Sequence, residues 1–384
     1  MPDAKGPSVL VRSPGLGRGF GFSGPPERVL YLRATGLLAG AEARAAAAEG
    51  IALLLAGGPL AFTHCEVMVR RTGRVETTLA SLAELREWAL HERAALEPHL
   101  ARLLEACSAP RPPFAGLALD RPRLMAIVNA TPDSFSDGEK YVAPVDAVAH
   151  GNALVEAGAD IIDVGGESTR PGAAPVNAKE ELRRVRPVLE GLADCGAVIS
   201  IDTRHAIVMR TALELGARVI NDVTALAGDP ESLALAAERG AHVVLVHMQG
   251  EPPTMNRAPQ YDFAPLDVYD TLAARVEACA AAGIPRARIA VDPGLGFGKH
   301  TAHNLAILER LSLFLGLGCA VLVGASRKLL VGASRRDTPP RARLGASIGA
   351  ALAALDRGAQ LLRVHDLAET RQAVDMWRAL HQNC

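Results

Sequence analysis

Through the last two thirds of the chain, short runs of Val, Ile and Leu end in polar or glycine residues and alternate with stretches of helical periodicity. The eight runs close at Ile127-Val128-Asn129, Ile162-Asp163-Val164-Gly165, Ser200-Ile201-Asp202, Val219-Ile220-Asn221-Asp222, Leu245-Val246-His247-Met248, Ala290-Val291-Asp292, Val323-Gly324-Ala325-Ser326 and Leu362-Arg363-Val364-His365. Apolar residues without alternation mark strands covered on both faces, the condition of a parallel sheet wrapped by helices. The pattern predicts helices over 144–157, 178–192, 205–215, 231–239, 266–282, 302–313, 345–356 and 368–380, and several stop at a glycine such as Gly158, Gly216 or Gly283. Residues 124–384 therefore read as an α/β fold, a closed TIM-type (β/α)8 barrel, whose chemistry collects at the C-terminal ends of its strands.

The part before the barrel is organised differently. Residues 1–27 are rich in Gly and Pro and read as a flexible tail; Gly15-Leu16-Gly17-Arg18-Gly19 has no strand before it and no helix after it, so it is not a dinucleotide loop. Residues 28–107 combine strand-like Val29-Leu30-Tyr31-Leu32 and Glu66-Val67-Met68-Val69 with an alanine-rich helical stretch near 40–49. A further helix opens at the capping box Ser81-Leu82-Ala83-Glu84 and breaks near Pro98, which makes this a small α/β appendage. The stiff segment 108–123, with Pro110, Pro112 and Pro113, reads as a linker, and a barrel starting near Ala115 is expected to fold and work alone.

Composition narrows the functional classes. Apolar residues make up 49 % and charged residues 22 % of 384, with a formal net charge of -1, so no broad electrostatic field recruits nucleic acid or an anionic membrane. The longest apolar run, 51–62, is too short to span a bilayer, and no signal-peptide pattern opens the chain. The six cysteines form no C-x-x-C pair, which suits free thiols in the cytoplasm better than disulfides or zinc. Lysine is scarce, occurring only at 5, 140, 179, 299 and 328, so a lysine at a strand end is mildly suggestive of a role arginine cannot fill.

The candidate chemistry lies at the rim. Asp202, Asn221 and Asp292 end three strands and point toward one axis, where they are costly unless they bind something; a heterocycle edge with several N–H donors satisfies them. Arg363 and His365 share a strand face and form a paired grip for an anion, with Ser326-Arg327-Lys328 on the neighbouring strand. The loop Asn129-Ala130-Thr131-Pro132-Asp133-Ser134-Phe135-Ser136-Asp137-Gly138 offers hard oxygen ligands for Mg²⁺, or equally a set of Asx and Ser/Thr turns. Gly165-Gly166-Glu167-Ser168-Thr169-Arg170-Pro171-Gly172 presents one arginine from a loop that can close over a ligand. Gly294-Leu295-Gly296-Phe297-Gly298-Lys299 lacks phosphate-loop spacing and reads as a close backbone approach with Phe297 as an apolar wall.

These motifs, together with His247-Met248-Gln249-Gly250, resemble the dihydropteroate synthase family of pterin-binding barrels, in order over residues 124–384. The resemblance implies that 6-hydroxymethyl-7,8-dihydropterin diphosphate and 4-aminobenzoate condense to 7,8-dihydropteroate and diphosphate by an SN1-like substitution. It implies that Asp202, Asn221, Asp292 and Lys328 hold the pterin with Met248 against it, and that Asn129, Arg363 and His365 hold diphosphate. Asn129 and Asp137 meet Mg²⁺ in the same reading, while Thr169, Arg170, Pro171 and Phe297 shape the 4-aminobenzoate site. Family resemblance also implies a homodimer. Glu139 and Leu329 depart from the common pattern and leave sulfonamide sensitivity open. Two rivals are a pterin-dependent methyltransferase-like barrel, against which Arg170, Arg363 and His365 speak, and a non-catalytic pterin-binding paralogue, against which Arg170 and Asp137 speak.

Overall fold

The computed structural model describes residues 8–16, 20, 24–91, 95–130, 144–168, 174–251, 254–255, 257–328 and 338–382. The appendage is built from β1 (Val9–Arg12), β2 (Leu30–Ala39), α1 (Gly40–Ala48), β3 (Leu53–Leu54), β4 (Leu60–Arg71), β5 (Arg74–Ser81), α2 (Leu82–His91) and α3 (Leu96–Ser108). Its sheet runs β1-β5-β4-β2, antiparallel except where β1 joins β5 in parallel, and β3 adds to β4. The Ser81–Glu84 capping box forms as the sequence predicts, with the Glu84 carboxylate accepting from the Ser81 amide at 2.7 Å. Pro98 sits in the first turn of α3, where its missing N–H costs nothing, so the break falls ahead of it.

Two expectations about this part are corrected. Residues 9–12 are a sheet strand and Phe20 is buried with its ring edge-on to Trp88, so these parts of the predicted tail are ordered into the appendage. Segment 108–123 is a plug more than a linker. Phe114 and Ala115 are buried against Met125, Ile161, Val219 and Val244, closing the N-terminal end of the barrel. Arg111 is buried and donates to four backbone carbonyls, those of Cys319, Ala109, Ala106 and Leu315, which ties the end of α3 to the barrel wall. A barrel starting near Ala115 would lose Phe114 and Arg111 from these contacts.

Eight parallel strands close the barrel: β6 (Arg123–Asn129), β7 (Ile161–Gly165), β8 (Val198–Asp202), β9 (Val219–Asp222), β10 (His242–Val246), β11 (Ile289–Asp292), β12 (Ala320–Val323) and β13 (Leu361–Val364), with β13 paired to β6. Around it lie α4 (Pro144–Glu156), α5 (Ala178–Leu192), α6 (Ala206–Glu214), α7 (Ser232–Glu238), α8 (Ala264–Ala281), α9 (Thr301–Glu309), α10 (Leu344–Leu355) and α11 (Leu367–Gln382). The helix predicted over 302–313 ends at Glu309; seven buried residues, Leu311–Leu317, continue as a 3-10 helix up to Gly318 in the left-handed region. That 3-10 segment and α8 receive the appendage. Ser312 donates to the Ala34 carbonyl at 2.8 Å, the Tyr31 hydroxyl donates to Asp270 at 2.9 Å and Arg70 pairs with Asp267 at 2.8 Å.

The strand period of two then sets the site. Ile161, Val219, Ala290 and Leu361 fill the barrel interior, and the residues two positions further on are Asp163, Asn221, Asp292 and Arg363. A polar layer thus stands directly on the apolar one. Asp202 joins it beside Gly165 and Asn221, with which it is in register on either side.

Candidate active site

Asp202, Asn221, Asp292, Lys328, Arg363 and Phe297, all of them candidates from the sequence, line one cleft at the barrel mouth. The Arg363 guanidinium bridges two carboxylates, its Nε donating to Asp163 and its Nη2 to Asp202, each at 2.6 Å. Asp163 is fully buried and also accepts from Ser200 at 2.6 Å and from the Asn221 amide at 3.0 Å. Sequence reasoning gave Asp163 no role. Its place two residues above Ile161, on the same inward face, is the signal that was there to read.

Asn221 is oriented by that bond, which leaves its side-chain oxygen buried with no partner among the described residues. A buried acceptor of this kind is costly unless a donor reaches it. Asp292 uses one oxygen to accept from the Gly294 amide at 2.7 Å. Lys328 donates to the Leu295 carbonyl at 2.5 Å and its ammonium lies 4.2 Å from the centre of the Phe297 ring.

Three carboxylates and two cations share this small volume, and their titration reflects it. Burial pushes Asp202 up to about 7, against the pull of Arg363 and with the help of Asp163. Burial also raises Asp292, which Lys328 holds back. Lys328 is brought down to about 8 by burial, opposed by Asp292. For Arg363 burial works against the charge, but Asp163 and Asp202 outweigh it and the guanidinium is held more firmly charged than usual. The mouth therefore offers carboxylate acceptors, one of which changes charge near neutrality, to a ring edge of N–H donors.

The remaining predicted residues sit around this centre. Asn129 ends β6, in register with Gly165, and His365 follows β13 with its backbone amide and Nδ1 at 3.2 and 3.1 Å from the Ser326 hydroxyl. Met248 is half-buried against the same interior cluster as Phe297. Asp137, Thr169, Arg170 and Pro171 lie outside the described residues. Among the described residues no three His, Cys, Asp or Glu side chains gather as a metal site, and the cysteines at 65, 107, 195, 279 and 319 are free.

Two glycines let the Gly-rich loop press on the end of β10. Both have left-handed backbones, and a Cβ at Gly294 would stand 1.9 Å from the His247 carbonyl oxygen, at Gly298 2.1 Å from that of Gln249. Lys299, another residue without an assigned role at the sequence level, closes this contact from beneath. It is buried and donates to His247 Nδ1 at 2.8 Å and to carbonyls of Gly294 and Phe297 at 2.9 and 3.0 Å. Burial and the neighbouring ammonium bring His247 down to about 3, so it is a neutral acceptor.

Comparison with known proteins agrees with this geometry. The sequence profile of the family described as "Pterin binding enzyme" matches residues 125–365. The chain is 46 % identical over 259 residues to dihydropteroate synthase of Escherichia coli K12, covering 67 % of this chain and 91 % of that one. It is 44 % identical over 270 residues to that of Neisseria meningitidis serogroup C, covering 70 % and 95 %. Among solved structures, Xanthomonas albilineans dihydropteroate synthase with 4-aminobenzoic acid superposes with a TM-score of 0.65 at 48 % identity, covering 70 % of this chain and 97 % of that one. The same enzyme in complex with 7,8-dihydropteroate gives 0.63 at 45 % identity, covering 70 % and 98 %.

Proposed function

The chain belongs to the dihydropteroate synthases of the pterin-binding enzyme family, and on that premise we infer that it joins 6-hydroxymethyl-7,8-dihydropterin diphosphate to 4-aminobenzoate, releasing diphosphate. The observation that carries the reading onto this molecule is the convergence of Asp202, Asn221 and Asp292 at the mouth, with a buried acceptor on Asn221 awaiting a donor. A 2-amino-4-oxo-pyrimidine edge supplies such donors, and Lys328 supplies a donor to ring acceptors. Met248 packs against the ring in this reading.

The difficult step is loss of diphosphate from the ring methylene, because an arylamine is already neutral at pH 7 and needs no strong base. Arg363 and His365 stabilise the departing charge in this account, and Arg363 does so as a guanidinium kept cationic by Asp163 and Asp202. Phe297 walls the 4-aminobenzoate side, with Thr169, Arg170 and Pro171 from the second loop. The pterin delocalises the developing cation, so an SN1-like path follows.

The donor set fits Mg²⁺ in chemistry. Asn129 is a hard oxygen ligand at the end of β6, next to the side-chain-free Gly165, which suits an ion that takes its other ligands from diphosphate and water. Asn129 and Asp137 would hold it, and when bound it would neutralise the diphosphate charge. We place the protein in the cytoplasm as a homodimer, to be checked by fractionation and sedimentation; no helix among the described residues is long and apolar enough to cross a membrane.

The test is a product assay with both substrates and Mg²⁺. Dihydropteroate and diphosphate appear together, and omission of either substrate abolishes dihydropteroate. A protein that binds pterin diphosphate tightly but forms no product overturns the enzymatic reading.

A further inference from the structure

Lys299 is 4 % exposed, yet no carboxylate pairs with it among the described residues. Its ammonium is satisfied by neutral groups: Nδ1 and the carbonyl of His247 at 2.8 and 3.2 Å, and the carbonyls of Gly294 and Phe297 at 2.9 and 3.0 Å. Burial lowers the pKa of this amine well below the ordinary lysine value, and an apolar side chain of the same reach would fill the space without burying a polar nitrogen at all. The arrangement therefore needs a reason beyond packing.

The reason lies in what the bonded carbonyls carry. Residues 293–298 leave β11 as a loop with three left-handed glycines, Gly294, Gly296 and Gly298, so it has little stiffness of its own. This loop surrounds Lys328 with the Leu295 carbonyl at 2.5 Å and the Phe297 ring at 4.2 Å. Its first turn is capped by Asp292 and its middle by Asn304, which accepts from the Gly296 amide at 2.8 Å. The His247 amide donates to the Asp292 carbonyl at 2.9 Å and the Tyr261 hydroxyl to the Gly298 carbonyl at 2.8 Å, while Lys299 links the carbonyls of both Gly294 and Phe297 to the end of β10, where His247 precedes Met248.

We propose that Lys299 is a positioning residue that ties the Gly-rich loop to the end of β10 and so fixes the Leu295 carbonyl and the Phe297 ring around Lys328. It touches neither substrate. This deepens the functional reading and rests on it, because Phe297 and Lys328 belong to the two substrate seats in that reading. With the clamp released, the glycine loop gains freedom while β10, up to Val246, is still held by its ladders to β9 and β11. The 4-aminobenzoate side should suffer more than the pterin side.

The test is a double-mutant cycle on the full-length chain, with Lys299→Met and Phe297→Ala. Lys299→Met should raise KM for 4-aminobenzoate roughly tenfold, the effect of losing a buried hydrogen bond or two, with pterin diphosphate affinity changed by no more than about twofold. In the Phe297→Ala background the same substitution should change KM by less than about twofold, because the ring it positions is gone. Lys299→Gln, which keeps two N–H donors, should recover part of the loss and replaces Lys299→Met in the cycle should the latter not fold. Equal effects in both backgrounds, or a lowered Tm with unchanged KM for both substrates, overturns the clamp. Wild-type protein without product overturns the functional reading instead, and the clamp's role with it.

Discussion

Asp163→Ala removes the group on which the mouth is organised. The carboxylate accepts from Arg363 and Ser200 at 2.6 Å each and from Asn221 at 3.0 Å, wholly out of water. Breaking one side of a buried pair costs about 3–5 kcal/mol, because the remaining charge stays buried. Asn221 then keeps an amide donor with no partner next to its already orphaned oxygen, for about 1–3 kcal/mol more. Arg363 retains Asp202, which softens the first figure, so the expected loss is about 4 kcal/mol against a total of about 5–15 kcal/mol for a typical domain. Urea unfolding followed by far-ultraviolet ellipticity measures it. Asp163→Ala within about 0.5 kcal/mol of wild type, the scatter of surface substitutions, would refute the reasoning.

Asp202 binds its proton more tightly folded than unfolded, with its value raised from 3.8 to about 7. Its contribution to stability is thus complete below the unfolded value and is lost as the pH rises through about 7. Between about pH 5 and about pH 8 wild type should lose stability relative to Asp202→Asn, and a constant difference would contradict this. Phe114→Ala should cost about 3–5 kcal/mol by opening a cavity under the barrel, and a chain beginning at Leu117 should not fold cooperatively. A shortened chain with native melting behaviour would return 108–123 to the status of a linker. Excess chelator should stop product formation while leaving affinity for the diphosphate-free pterin unchanged; undiminished turnover would remove Mg²⁺ from the account.

The barrel was legible because its signal is repeated. Each strand is dominated by Val, Ile, Leu and Ala, polar residues gather toward its C-terminal end, and the helix expected over 178–192 is α5 with those bounds, Ala178–Leu192, capped by Asn177. Asp202, Asn221, Asp292, Lys328 and Arg363 come together as their strand ends foretold. Asp163 was passed over because two more strand residues, Val164 and Gly165, follow it, so that it reads as strand interior, where an acid is costly unless a distant partner such as Arg363 answers it. Lys299 escaped notice for a related reason: its partners are backbone carbonyls, which have no sequence signature. The plug at Phe114 was hidden by prolines that read as a linker, and Phe20 by the glycines around it. In both cases tertiary burial overrode local composition.

The crystal structure of this chain soaked with 7,8-dihydropteroate tests the central claim most directly. The account predicts the pterin edge on Asp202, Asn221 and Asp292, with Lys328 at a ring acceptor, Met248 on the ring face and the aminobenzoate portion beside Phe297. The orphaned Asn221 oxygen should accept from the ring. A pterin seated away from these residues, or a mouth in which Asn221 still faces no donor, would contradict it.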